Sequence, residues 1–309
     1  MQINQTSVRY FIIKGISDDP HLQLPNFLLV LLIYLTTISG NVTILIACRD
    51  PRLHTPMYFF LGNLSMVDIC CCTVTLHRIL TNFISGDNRV PFLACMVQMY
   101  MFGSLEGHEL TILTAMSYDR YVAICKPLQY HLLMNTRTCG ILVSVCWIVG
   151  FVQVLPPVGI VWSFSCYSSI EINHFFCDII PLIRISCEDT SFVETLFFIE
   201  GLFPMILLPF LLTFVSYIFI IIAILRIRTS SGRFKAFYTC SSHVTVVTLL
   251  YLTLFGQYLT PNLSSTLDFK KLFALFNTAA IPLLNPMIYS LKNKDVKRAL
   301  VKSLGRPII

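Results

Sequence analysis

The sequence predicts an all-α membrane protein, a bundle of seven transmembrane helices with a short amphipathic eighth helix on the cytosolic side. Three observations carry that reading. First, 55% of the 309 residues are hydrophobic and 12% are charged, with a mean hydropathy of +0.73. A soluble domain carries about 25% charged residues, so this chain cannot coat a water-facing surface. Second, seven stretches have the roughly 20 apolar residues that a membrane helix needs. Third, Lys and Arg fall mostly in alternate connections. The same composition excludes disorder, and the length excludes a disulfide miniprotein.

Taken in order, the stretches are Leu24–Cys48, Met57–Leu80, Phe92–Ile112, Gly140–Val161, Phe192–Leu225, Phe237–Leu259 and Phe269–Leu291. The first, fourth and fifth are almost wholly apolar. The second carries Asp68, and the third holds Glu106, His108 and Glu109. Strand-type alternation is absent, which disfavours a β-barrel. No internal repeat relates the halves, which disfavours many transporters. The connections are short except for about 30 residues between the fourth and fifth spans, a length usually tied to function or disorder. The whole chain, 1–309, reads as one seven-span domain: 1–23 outside, 24–291 in the bundle and 292–309 as a cytoplasmic tail.

Orientation follows from charge. One side collects Arg49, Arg52, Arg120, Lys126, Arg137, Arg226, Arg228, Arg233, Lys235 and the six basic residues from Lys292 to Arg306. The other holds Arg9, Lys14, Arg78, Arg89, Arg184, Lys270 and Lys271. The positive-inside rule puts the N-terminus outside and the C-terminus in the cytosol of a multi-pass membrane protein. The net charge of +6 is then a cytosolic surface, and no nucleic acid is implied. No cleavable signal peptide is evident, since the first 20 residues lack a basic stretch followed by a short apolar core. Asn4 opens a glycosylation sequon on the outer side.

Of the 12 cysteines, eight lie in spans or on the cytosolic side and read as small apolar packing residues. The run Cys70, Cys71, Cys72 does not read as a metal site, because successive helix positions diverge. Cys95, Cys166, Cys177 and Cys187 lie outside. Two disulfides with three possible connectivities follow. A bridge from Cys95 would pin the long loop across the mouth of the bundle.

Charges inside spans are costly and usually functional. Asp68 and Glu109 share a mid-membrane depth. Either each is protonated and hydrogen-bonded to a neighbour, or they share a Na+ or proton site with Asn41 and Asn285. Glu106 lies about one turn further out on nearly the same face as Glu109. Helical spacing also outlines a pocket in the outer half. Phe102, Gly103, Glu106 and Gly107 share a face of the third span. Tyr251, Leu254 and Tyr258 share a face of the sixth, with Phe255 beside them. Gly201, Leu202 and Met205 lie on the fifth, Ala274 and Thr278 on the seventh. Each could equally serve helix packing. A concave apolar site with few polar groups suits a small ligand. An ionised Glu106 there would favour an amine or another hydrogen-bond donor.

Two inner-end motifs complete the pattern: Asp119-Arg120-Tyr121 closes the third span, and Asn285-Pro286 with Tyr289 closes the seventh. They join Gly40-Asn41, the segment LHTPMYFFLGNLS from Leu53, the run MSYDRYVAICKPL from Met116, His174-Phe175-Phe176-Cys177-Asp178, Ser216-Tyr217, the run KAFYTCSSH from Lys235 to His243, and Pro282-Leu283-Leu284-Asn285-Pro286. With these the chain resembles, over essentially its whole length, a rhodopsin-like (class A) G-protein-coupled receptor, and more narrowly an odorant (olfactory) receptor of the tetrapod-type (class II) subgroup.

The resemblance implies Cys95–Cys177 and Cys166–Cys187 disulfides. It implies an activation switch of Asp119, Arg120 and Tyr121, with Tyr217, His243, Asn285, Pro286 and Tyr289, and an ion site at Asp68 and Glu109. It implies an odorant ligand, and a stimulatory, olfactory-type heterotrimeric G protein that raises cAMP. There are departures. Ser117 stands where the family usually has Ala, and Leu250-Tyr251-Leu252 replaces Phe-Tyr-Gly, which changes the packing around that tyrosine. The rival readings are another class A receptor or, more distantly, a secondary transporter. No nucleophile–base constellation points to an enzyme, and no cofactor is implied beyond the ion.

Overall fold

The computed structural model describes residues 3–4, 8–16, 20–259, 267–291 and 296. Span one is Pro20–Ala47, span two Pro56–Ser85 and span three Phe92–Cys125. Span four is Thr136–Gln153 continued by Leu155–Trp162, and span six is Ser230–Leu259. Span five runs Ser191–Glu200, a π-helical turn Gly201–Leu207, then Leu208–Leu225. Span seven runs Leu267–Leu275, a π-helical turn Phe276–Ala280, then Ile281–Leu291. Most helices overrun the apolar stretches read from sequence, because a helix continues past the lipid while its apolar signal stops. The eighth helix and the tail fall outside the described residues, apart from a helical Val296.

Among the described residues, six helices are long and apolar enough to cross a membrane: spans one, two, four, five, six and seven. Span three is long enough, at 34 residues, but more polar. It packs against spans two, four, five and six, so its polar groups face protein instead of lipid. The outer surface shows the reverse pattern. Ile141, Val145, Ile148 and Val152 on span four, and Leu208, Leu211, Val215 and Ile222 on span five, are exposed. Their three- and four-residue spacing marks one helix face turned to lipid.

Breaks in the helices follow proline. Proline lacks the N–H that would bond four residues back, and its ring crowds that carbonyl. Pro204 lies inside the first π turn. Pro282 stands just after the second, where its bond to Thr278 is missing. Pro156 and Pro157 restart span four after Val154.

One end of the bundle carries a folded cap. The loop between spans four and five holds strands β4 (Cys166–Tyr167) and β5 (Glu171–Ile172) and a short helix Ile179–Arg184. The N-terminal segment, read from sequence only as lying outside the bundle, supplies β1 (Ile3–Asn4) and β2 (Tyr10–Ile13). β1 pairs antiparallel with β4. β2 lies between β3 (Arg89–Pro91), antiparallel, and β5, parallel. Phe11 and Ile13 are buried while Tyr10 is exposed, and Phe11 packs edge-on against buried Tyr167 at 5.2 Å. These short strands, two to four residues each, are additions that the sequence reading did not name.

Candidate functional site

Two disulfides hold the cap in place. Cys95 at the start of span three joins Cys177, with a Cα–Cα distance of 5.3 Å. Cys166 joins Cys187 at 5.5 Å. These are the pairings that the resemblance implies. Gln98 adds a polar clamp: its Oε1 accepts the Cys177 amide N–H at 2.9 Å, and its Nε2 donates to the Val74 carbonyl. The loop after Cys177 is thereby drawn over the bundle.

Beneath it lies a cavity lined by Met99, Phe102, Gly103 and Glu106 of span three, Gln153, Val154 and Pro157 of span four, Asp178, Ile179 and Ile180 of the loop, Phe197, Gly201 and Met205 of span five, and Gln257 of span six. Protein-free space there amounts to about 580 Å³, open mouth included. Phe102, Gly103, Glu106, Gly201 and Met205 are thus placed as the sequence suggests. Among the described residues, no hydrogen bond or ion pair reaches the Glu106 carboxylate. Asp178 caps the loop helix, its Oδ1 accepting the Ile179 N–H at 2.8 Å. Burial pushes its carboxyl up to about 6 against the pull of that bond. A wider recess above shares Asp178, Ile180 and Gln257 and adds Arg184, Lys270 and Lys271.

The other sequence-predicted ligand residues do not line this cavity. Gly107 is covered by the Gln153 amide and the Met205 methyl, and Leu202 is half-buried. Tyr251 and Phe255 pack edge-on against Phe210 at 5.1 and 5.4 Å, and Leu254 lies in the same buried cluster. Span five therefore fills the face of span six that helical spacing leaves open. Ala274 packs in the cluster of Phe102, Phe175 and Phe176. The Thr278 hydroxyl bonds the Ala274 carbonyl at 2.9 Å. The side chain of Tyr258 lies outside the described ones, as does that of Asn4. Sequence reading missed Gln153, Val154 and Asp178. No local signal marks them, because the cap and the fold of span four bring them in.

In the middle of the bundle a polar cluster surrounds Asp68. Asn285 Nδ2 donates to both Asp68 oxygens, at 3.1 and 3.0 Å. Asn41 Nδ2 ties span one to the Pro282 carbonyl at 3.1 Å. Asn41 Oδ1, Ser65 Oγ, Glu109 Oε1 and Asn285 Oδ1 are all buried and, among the described residues, accept no hydrogen bond. Such unmet acceptors are the raw material of a cation or water site. One nearby thiol is engaged otherwise: Cys72 Sγ donates to the Thr278 carbonyl. Among the described residues, no group of three His, Cys, Asp or Glu is placed to hold a metal ion.

At the far end, Arg120 Nη2 donates to Asp119 Oδ2 at 2.7 Å, and the Tyr130 hydroxyl donates to Asp119 Oδ1 at 2.8 Å. Both members of the ion pair are largely shielded, with side-chain exposures of 11% and 1%. His243 joins three spans. Its Nε2 lies 3.0 Å from the Leu113 carbonyl, which can only accept, so Nε2 carries the proton. Nδ1 then accepts the Tyr217 hydroxyl at 2.7 Å. Tyr121 packs with Ile220, Ile224 and Cys240. The Tyr289 hydroxyl is buried and has no partner among the described residues. Pro286 packs under Gly40, whose missing side chain leaves room for the proline ring.

A family model described as "Olfactory receptor" matches residues 30–306. Among similar proteins are olfactory receptor 8U3 of Mus musculus, 44% identical over 306 residues, covering 99% of this chain and 96% of that one. Olfactory receptor 8D1 of Homo sapiens is 44% identical over 302 residues, covering 97% and 98%. Olfactory receptor 5AR1 of Mus musculus is 44% identical over 305 residues, covering 98% of each.

Proposed function

From the premise that the chain belongs to the olfactory receptor family, we propose that it binds a small, largely apolar odorant in the cavity between spans three, four and five. Membership makes it a multi-pass G-protein-coupled receptor of the plasma membrane, not an enzyme. The cavity is the observation that supports the site: it is concave, mostly apolar and roofed by a disulfide-pinned loop.

The disulfide end faces outside and the Arg120 end faces the cytosol. The one-sided Lys and Arg support this. So does the chemistry of sulfur: Cys95, Cys166, Cys177 and Cys187 are oxidised at one end, whereas Cys125, Cys139 and Cys240 toward the other are free thiols. Ligand in the cavity shifts spans five and six against span three. That strains the Tyr217–His243–Leu113 link and frees Arg120 from Asp119, opening a basic face with Arg226, Arg228, Arg233 and Lys235 to a stimulatory G protein, which raises cAMP. A Na+ ion or a shared proton at Asp68 and Glu109, with Asn41 and Asn285 as further ligands, holds the resting arrangement.

A cAMP reporter in cells expressing the receptor, challenged with an odorant panel, tests the reading. Gly103 lines the cavity with a Cβ position 3.0 Å from Val154, so Gly103→Leu fills it. The expected result is a response in the parent that is lost in the variant at equal surface level. A response that survives Gly103→Leu refutes the site, and a G-protein response without cAMP refutes the coupling.

A further inference from the structure

The lining of the ligand cavity is chemically one-sided. Two carboxylates enter it from different elements, Glu106 from span three and Asp178 from the loop above. Among the described residues, no Lys, Arg or His lines it. Two carboxylates held in an enclosed, mostly apolar site are costly unless a positive charge or strong donors meet them. Within the described residues neither is met in full: Glu106 has no donor, and Asp178 has the Ile179 amide on Oδ1 alone.

A separate observation points the same way. Gln153 ends in this cavity, and its Nε2 is shielded from water with no acceptor. Half a turn about its last bond breaks no hydrogen bond and puts its oxygen in the same place, a third acceptor for a ligand N–H. Gln257, by contrast, is engaged, accepting from Asn277 at 3.3 Å.

We propose that the cavity is a cation site, in which Glu106 and Asp178 clamp the protonated amino group of a small aliphatic amine. This rests on the receptor reading above and names its ligand class. A primary ammonium offers three N–H donors. Two go to the carboxylates and the third to the Gln153 oxygen. The alkyl chain lies among Met99, Phe102, Phe197 and Met205. Because Asp178 belongs to the cap, the ligand's charge ties the cap to span three, and occupancy of the site is coupled to the position of the roof. The basic recess outside, with Arg184, Lys270 and Lys271, does not convert the site to an anion site, since an anion passing it meets two carboxylates below.

The test compares straight-chain primary amines with alcohols of equal length in the full-length receptor, read as cAMP, with surface level followed by antibody. Amines are expected to be the stronger agonists. Glu106→Gln, which keeps shape and removes charge, should raise the amine EC50 about 30-fold or more, while Glu106→Asp should restore part of the response. Asp178→Asn should weaken amines more than alcohols and supplies an independent readout where Glu106→Gln does not reach the surface. Alcohols as good as or better than amines overturn the cation site and leave the receptor reading intact. Equal loss of both classes in Glu106→Gln also overturns it, assigning Glu106 to packing. Silence to every class at normal surface level overturns the receptor reading, and the cation site with it.

Discussion

Gly150 is where the bundle tolerates least. It lies on span four against span three, and a Cβ built there would sit 2.7 Å from the Ser104 carbonyl oxygen, 3.1 Å from the His108 nitrogen and 3.2 Å from the His108 Cβ. Ordinary contact begins near 3.4 Å, so the two backbones must part by about 0.7 Å. Backbone atoms cannot swing aside as a side chain can. Inserting one methyl into such a contact costs roughly 1–3 kcal/mol. Nearby rings make the shift matter, because His108 stacks on Trp147 with centroids 4.0 Å apart. Gln153, one turn further on, reaches the ligand cavity. Gly140 in the same helix has nothing within 4 Å of its Cβ position, and alanine there gains about 0.5–1 kcal/mol of helix propensity. Thermal denaturation of the two purified variants in one detergent should therefore move in opposite directions, Gly150→Ala melting below the parent and Gly140→Ala at or above it. Gly150→Ala should also weaken agonist potency. Equal melting of the two variants refutes the claim that spans three and four meet backbone to backbone at Gly150.

The two disulfides close loops of different length, with sequence separations of 82 and 21. By loop-closure entropy, losing the longer costs about 1 kcal/mol more, so Cys95→Ser should unfold the cap more readily than Cys166→Ser in a proteolysis assay. His174, in the cap, is held neutral by burial, reinforced by Lys271, with its imidazole pushed down to about 3. A depressed base contributes stability above its ordinary value near 6.5 that is lost as pH falls toward 3, at up to about 1.4 kcal/mol per pH unit. Protection factors in residues 171–177, with the intrinsic exchange rate at each pH divided out, should thus fall between pH 7 and pH 5, and His174→Asn should flatten that dependence. Protection factors unchanged at pH 5 count against a buried neutral imidazole.

The bundle was legible because lipid selects composition directly: Leu, Ile, Val and Phe fill spans one, four and five. Span three was the least apolar for a physical reason, since packing on four neighbouring spans lets it keep Glu106, His108 and Glu109. The strand Tyr10–Ile13 escaped notice because four residues are too few for alternation to stand out, and its partners Arg89–Pro91 and Glu171–Ile172 are far away in sequence. Helical spacing chose a face of span three that lines the cavity with Phe102, Gly103 and Glu106. It chose a face of span six that points inward but is already taken by Phe210, so Tyr251, Leu254 and Phe255 serve the core. Asp178 and Gln153 depend on where a disulfide pins a loop and where two prolines restart a helix. Neither placement is encoded near the residue it positions.

The central claim is that ligand in the disulfide-capped cavity drives exchange on a stimulatory G protein at the Asp119–Arg120 end. Uptake of a non-hydrolysable GTP analogue by purified stimulatory heterotrimer, with the receptor in lipid nanodiscs, measures this without other cell components. The account predicts uptake that an active odorant accelerates, with the acceleration lost in Gly103→Leu. Acceleration undiminished by Gly103→Leu, or none at all with an odorant shown to bind, contradicts it.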